Sequence, residues 1–465
     1  MGSLTQLLYT ARDSLTAQSY GLSVTGQNIT NVNTPGYVRR QVVLETRDLG
    51  PGNRGGVNAA GILRVSDQFI DTKHLSLTGL SAQASTRDQL LGQTEALFND
   101  FVGAGLNSSM SALFSSFSAL SANPNDPTVR ATVLQRAETL SNQVKTASDQ
   151  IANYRTELFS HARDVVGEIN TKLESIAELS GRINEATAAG QDAADLKDKR
   201  DALLLDLTKK IEVRAYTDGN GQLVVQGPGV TLLQGSKMRE LALDIADDGS
   251  LHVFARTNSG GTGGDVTQHL TGGELAGIIE VRDHDIVAMQ TELDQFAFNV
   301  GTQINSVHAA GFGLDGQNGR ALFEVGGAAQ GAAGIMRVSD DVAGQPNLLG
   351  AASNAAALPG DGTQAMLLAS VADEPVPGLD GLSPSEAYGR LVDNVGRRKQ
   401  EAADTLSLRD AMTAQIETMK QSVSGVSLDE EMVALTQYQR AFEAASRVFT
   451  TADQLLETLI NTLGR

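Results

Sequence analysis

The 465-residue chain contains no cysteine and no tryptophan, and aromatic residues of all kinds make up only 4% of it. Without cysteine there is no disulfide, no thiol nucleophile and no thiolate metal site. With so few rings, a core has to be assembled from leucine, isoleucine, valine and alanine, which favours helix packed on helix. Positive charge is also scarce, with 36 Lys and Arg against 55 Asp and Glu, a net charge of −19. No basic cluster relieves that balance, so nucleic acid and an anionic membrane are excluded as principal partners. Long apolar runs are missing too: nothing approaches the roughly 18 residues needed to span a bilayer. The first residues, MGSLTQLLYTARDSLTAQSY, lack a basic head, a solid apolar stretch and a small-residue cleavage site, so no cleaved signal peptide is predicted. MGSLTQ also lacks the Ser or Thr that N-myristoylation requires at its sixth residue.

Catalytic and metal signatures are equally absent. The six histidines stand at 74, 161, 252, 269, 284 and 308, never four apart, and no HExxH occurs. Asp283-His284-Asp285 has metal-ligand residue types but reads as acidic groups at a helix start. Asp315-Gly316-Gln317-Asn318-Gly319 lacks the ligand spacing and terminal Glu of a calcium loop and reads as a turn. NSGGTGGD at 258–265 has no Gly-Lys-Ser/Thr and is no phosphate loop. There is no GxSxG, and no Ser/His/Asp order stands out. No catalytic residue, cofactor or metal is therefore expected.

What the chain does have is a heptad seam at each end. Leu4, Leu8, Ala11, Leu15, Gln18, Leu22, Thr25 and Ile29 step alternately by four and three, as do Tyr438, Phe442, Ala445, Phe449, Ala452, Leu456, Leu459 and Leu463. Each predicted helix has a punctuated junction on its inner side. After the first comes NITNVNTPGYVRRQ, in which Asn28, Asn31 and Asn33 suit caps and Asx-turns, and Thr34-Pro35-Gly36-Tyr37 is a predicted type II turn. Before the second, Ser424-Gly425 interrupts and Ser427-Leu428-Asp429-Glu430 has the form of a capping box.

The interior changes pattern twice. YVRRQVVLET reads as extended, PGNRGG at 51–56 as a loop, and residues 72–210 as mostly helical. Met110, Leu113, Phe114 and Phe117 form a short stripe that ANPNDP ends, and a long helix from about 129 carries Ile151, Tyr154, Leu158, Val165, Ile169, Leu173, Ile176 and Ile183. From 211 the apolar residues alternate between Gly-rich turns, predicting hairpins up to about GGELAGIIEVRD. A helix then returns at Ile286, followed by a Gly/Ala/Pro-rich stretch with a strand at GIMRVSD and a short helix near QAMLLASV. Ser383-Pro384-Ser385-Glu386 is a capping box that opens a helix to about 423. The expected fold is mainly α with an inserted β domain. Residues 1–45 and 424–465 pair as a coiled-coil stalk, 46–210 and 283–423 form a discontinuous helical middle domain, and 211–282 form a small antiparallel β domain.

The Leu/Gln heptads followed by NITNVNTPGYVRRQ resemble the signature of bacterial flagellar rod, hook and hook-associated proteins. SGVSLDEEMVALTQYQRAFEAASRVFTTADQLLETLIN at 424–461 resembles the C-terminus of the branch that joins hook to filament. LKDKRDALLLDLTKKIEVRAYTDGNGQLVV, GGELAGIIEVRD and INSVHAAGFGLDGQNGRALF resemble that branch's interior. Longer members carry a further β module after the segment matching ALF, and here the chain runs directly from ALFEVGGAAQGAAG to GIMRVSDD. The resemblance implies a non-enzymatic structural adaptor, exported by the flagellar type III apparatus and placed outside the cell in the flagellum. Its implied partners are hook protein, hook-associated protein 3, further copies of itself in a ring and a secretion chaperone.

It also implies that the terminal helices order on assembly and pack against neighbouring subunits. The expected interface is then Leu4, Leu8, Ala11, Leu15, Leu22, Ile29, Asn28, Asn33, Pro35, Gly36 and Tyr37 at one end, and Tyr438, Phe442, Phe449, Leu456, Leu459 and Leu463 at the other. By spacing alone these seams fit an ordinary buried bundle equally well. A hook or distal-rod subunit would share the N-terminal motif but differ at the C-terminus. A secreted enzyme or adhesin on a flagellar stalk would have to place its activity in 211–282.

Overall fold

The computed structural model describes residues 2–48, 54–102, 105–257 and 263–463. The chain opens with α1 (Gly2–Thr30), followed by a ribbon of β1 (Arg40–Asp48) and β2 (Arg54–Arg64). Four helices come next: α2 (Gln68–Val102), α3 (Leu106–Ala122), α4 (Pro127–Ala188) and α5 (Ala194–Lys210). The β insert holds β3 (Arg214–Thr217), β4 (Leu223–Gln226), β5 (Thr231–Gln234), β6 (Lys237–Ile245), β7 (Leu251–Thr257) and β8 (Gly264–Asp265). Helices α6 (Glu274–Glu280) and α7 (Ile286–Ala310) flank a π-helical turn at Val281–Asp285. A turn-rich segment follows with β9 (Phe323–Glu324), α8 (Ala332–Ile335), β10 (Arg337–Val338) and α9 (Thr363–Ser370), and two long helices end the chain, α10 (Pro384–Ser424) and α11 (Leu428–Leu463). The fold is mainly α with an inserted antiparallel β domain.

α4 is the axis of the body. Asp126 caps it by accepting from the Thr128 and Val129 N–H groups, and Pro127 occupies the first turn, where a missing donor costs nothing. Its 62 residues give roughly 90 Å at about 1.5 Å per residue. All eight positions of the interior stripe expected from sequence are buried, together with the α3 stripe Met110, Leu113, Phe114 and Phe117. α7 buries Ile286, Met289, Leu293, Phe296, Val300 and Ile304 against the same core. Ser383 and Glu386 form the predicted capping box of α10.

The six strands of the insert pair in chain order as an antiparallel meander. Leu223, Val225, Leu233, Leu241, Leu251 and Val253 join the helical core cluster rather than forming one of their own. Asn170 of α4 fixes the register of the contact, donating to the Leu241 carbonyl and accepting from its N–H, each at 2.9 Å. The chain leaves the body at Ile211 and returns at Gly273. There a Cβ would lie 2.5 Å from the Ile211 backbone, and φ is +86°.

Several local expectations change. The helix begins at Glu274, so GGELAGIIEVRD is helical rather than the tail of the sheet; its two glycines serve the close return of the chain. Asp283-His284-Asp285 sits in the mid-helix π turn, not at a helix start. The GIMRVSD strand shrinks to Arg337–Val338, with Gly334 and Ile335 in α8. Of PGNRGG, residues 54–56 belong to β2, and 51–53 lie outside the described residues.

α2 and α10 run antiparallel as a neck below the body. Asp71 meets Lys420, Leu77 accepts from Thr413, Ser81 donates to Asp410, and Asp88 meets Lys399, the numbers rising on one helix as they fall on the other. α1 and α11 form the stalk beneath it.

Candidate functional site: the stalk and its joint

NITNVNTPGYVRRQ forms the joint between stalk and body. The Tyr37 N–H donates to the Thr34 carbonyl at 3.2 Å, and Gly36 has φ +79°, so Thr34–Tyr37 is the type II turn that its Pro-Gly pair predicts. The turn reverses the chain so that β1 passes back beside the end of α1. Asn33, Pro35 and Gly36 are exposed on the turn, and Tyr37 is half-buried.

Asn28 is the centre of the joint. It is buried, and its side chain uses its full hydrogen-bonding capacity. Its Oδ1 accepts from the Tyr37 hydroxyl at 2.8 Å and the Arg40 N–H at 3.0 Å. Its Nδ2 donates to the Arg40 carbonyl at 2.8 Å and to Glu431 Oε2 at 3.0 Å. Glu431 is a buried carboxylate in the first turn of α11, where the helix dipole favours negative charge. Arg39 completes its neutralisation from Nε at 2.8 Å and reaches Glu430 with Nη1 at 2.6 Å, while the Arg39 N–H donates to the last carbonyl of α10, at Ser424.

A second layer ties the joint to the body. Arg40 Nη2 lies 2.5 Å from Asp195 and 2.7 Å from Asp198, at the start of α5, and Arg64 Nη2 meets Asp198 and Asp201. The Arg40 guanidinium stacks over the Tyr37 ring at 4.8 Å. Burial alone would lower the Arg40 pKa, but the two carboxylates outweigh it and hold it above its ordinary value. Burial raises the Tyr37 phenol. One short segment thereby holds the ends of α1, α10, α11 and α5.

In the stalk the helices are antiparallel: Gly21 faces Tyr438 as Asn28 faces Glu431. A Cβ on Gly21 would stand 2.5 Å from the tyrosine ring. The buried line on α1 runs through Ala17, Gly21, Val24 and Asn28, one residue ahead of the expected Gln18, Leu22 and Ile29, while the expected Thr25 is buried beside it. A one-residue offset turns the helix by about 100°. The reason is that α1 has two partners, α11 and the β1–β2 ribbon, so one seam cannot describe it. Ala11 is buried, whereas Leu4, Leu8, Leu15, Leu22 and Ile29 are only half-buried. On α11, Ala445 and Ala452 face inward, Tyr438, Leu456 and Leu459 are half-buried, and Phe442 and Phe449 are exposed. The side chain of Leu463 lies outside the described residues.

Arg39, Arg40, Arg64, Glu431, Asp195 and Asp198 were not singled out from sequence. On α11 the expected seam already contained Ala445 and Ala452, which face inward; on α1 the line through Ala17 and Gly21 was missed.

Elsewhere, Ser250, His252 and Asp265 come together on the β insert. His252 Nδ1 lies 2.6 Å from Asp265 and its Nε2 lies 3.2 Å from Ser250 Oγ. The Ser250 hydroxyl, however, donates to Asp248 at 2.5 Å, so the group clasps the β6–β7 turn to β8 instead of activating a nucleophile. Asp283 is held by Arg155 and Arg282, and Asp285 by Arg87, which occupies the carboxylates of the former metal-like triplet. Asp315 is engaged by Arg320. No cluster of three acidic or His side chains suited to a metal occurs among the described residues, and no described helix is long and apolar enough to cross a membrane.

The C-terminal helix of the stalk and its start at the joint are of a flagellar type: residues 419–462 match the family model described as Flagellar basal body rod FlgEFG protein C-terminal. Residues 91–323, half of the chain, match the model described as Flagellar hook-associated protein FlgK helical domain. The chain belongs to the flagellar hook-associated protein FlgK family. It is 27% identical over 505 residues to Flagellar hook-associated protein 1 of Bacillus subtilis, covering 98% of each chain. It is 25% identical over 552 residues to the protein of that name from Salmonella typhimurium, covering 98% of this chain and 100% of the relative. Its fold is similar to that of the flagellar hook junction protein FlgK from Burkholderia pseudomallei, with a TM-score of 0.66 at 16% identity over 77% of this chain and 100% of that one.

Proposed function

We infer that this chain is a structural adaptor of the bacterial flagellum that joins hook to filament. Similarity along nearly the whole chain to relatives named flagellar hook-associated protein 1 carries the reading. The protein is exported to the flagellum, outside the cell. Its partners are hook protein, hook-associated protein 3, further copies of itself and a secretion chaperone, and it performs no catalysis. In this reading residues 1–45 and 424–465 are the assembly domain, 46–210 and 283–423 the middle domain, and 211–282 the outer insert.

The half-exposed Leu4, Leu8, Leu15, Leu22 and Ile29, with Phe442, Phe449, Leu456 and Leu459, supply the surface that neighbouring subunits cover. Two facts support this. α11 packs mainly on α1, so much of its surface is left uncovered in the single chain. Val448, Leu455 and Ile460 of α11 are exposed as well, on the two flanks of its buried alanines. The turn with Asn33, Pro35, Gly36 and Tyr37 sets the angle between stalk and body.

Electron microscopy of cells lacking the gene, with flagellin assayed in the medium, tests the assignment. Hooks without filaments and flagellin lost to the medium are expected. Loss of the hooks themselves would make the chain a rod or hook subunit, and normal filaments would refute the role.

A further inference from the structure

Between the joint and the body, the α2–α10 neck has its own small core of Ile70, Leu77 and Ile416, separate from the large cluster above it. His74 lies on the same face of α2, one turn from each of its two aliphatic neighbours, and is only 8% exposed. Its Nδ1 is buried with no hydrogen-bond partner among the described residues. A satellite core this small resists local opening far less than the body does. Placing an imidazole in it makes that resistance depend on protons.

We propose that the α2–α10 neck is a proton-sensitive hinge centred on His74, which opens locally when His74 is protonated while the body stays folded. The groups facing His74 favour that response. From α10, Lys420 opposes a second positive charge and Glu417 supports it; from its own helix, Asp71 supports it but is already paired with Lys420. α5 packs on the same helix, and its Asp201 is taken by Arg64 and Arg200. Glu212, beyond the end of α5, is held by Ser76 and Thr271. Burial first, then Lys420, lowers the His74 pKa, so the closed neck favours the neutral imidazole. The open neck lets it titrate at its ordinary value of about 6.5, so one proton is taken up on opening below that pH.

Hydrogen exchange on the full chain at pH 7.5, 6.5 and 5.5, corrected for intrinsic rates, reads the opening directly. Protection of residues 68–78 and 412–424 is expected to fall by up to about tenfold per pH unit below about 6.5. Exchange in α4 reports global opening in the same sample. In His74→Leu the dependence at the neck disappears. Lys420→Met raises the imidazole's affinity for a proton in the closed neck and flattens the same dependence, which keeps the test decisive if the leucine variant misfolds. Equal neck protection at pH 7.5 and 5.5 in the wild-type chain, or an unchanged pH dependence in both variants, would overturn the hinge.

Discussion

The body and the stalk are both helical, yet they are held by different means. In the body, Phe117, Leu173, Ile176, Leu207, Val253 and Ile304 are fully buried in one cluster that runs through helices and sheet. In the stalk, the residues turned inward are mostly small, Ala11, Ala17, Gly21, Ala445 and Ala452 with Val24 and Thr25, while Leu455 is 51% exposed and Ile460 57%. Burying a leucine instead of an alanine is worth about 1–2 kcal/mol in transfer terms. The body therefore carries its own stability. The stalk draws its order from the polar joint and from whatever covers its large side chains.

The comparison can be broken at four points. Phe117→Ala should cost about 3–5 kcal/mol and lower the melting temperature of the body cooperatively by calorimetry; a loss confined to one helix would mean the core is not continuous. Asn28→Ala leaves Glu431 and two backbone groups of Arg40 short of partners, at about 2–3 kcal/mol. Hydrogen exchange in α1 and α11 should then rise while α4 is unchanged, and a matching loss in α4 would show that stalk and body unfold together.

A third test is pH. His308 lies fully inside the body, with Nδ1 donating to the Arg320 carbonyl at 2.8 Å and Nε2 accepting from the Gly350 N–H at 3.0 Å, an arrangement only the neutral ring can make. Burial lowers its pKa below the unfolded value of about 6.5. Its contribution is thus complete above that pH and is lost as pH falls below it, by up to about 1.4 kcal/mol per unit. Urea midpoints at pH 7.5 and 5.5 should differ in that direction, and identical midpoints would count against a buried neutral imidazole. The smallest effect on the isolated chain is expected for Phe442→Ser and Phe449→Ser, within about 0.5 kcal/mol. The same variants should abolish swarming; wild-type motility would remove these rings from the interface.

The sequence made the body legible because its signals are local and redundant. The α4 stripe repeats over many turns, and the capping groups at Asp126 and Ser383 mark where helices start. The turn at Thr34–Tyr37 was legible for the same reason. The contact line of α1 was not. Leucine spacing marks an apolar face without saying which neighbour takes it, and α1 divides its faces between α11 and the ribbon. The joint was illegible for a different reason: Arg40 finds Asp195 and Asp198, and Arg39 finds Glu431, across separations that no short pattern encodes. GGELAGIIEVRD misled because its glycines mimic a hairpin end while serving the close passage at Ile211.

The bond between Asn28 and Glu431 closes a loop of 403 residues. A bare chain that long brings its ends together slowly, because the search grows with the length to be closed. Once the body has condensed, its neck presents the end of α10 beside β1, and most of that search is already done. The stalk's long-range closure therefore costs least chain entropy on a body that is already folded.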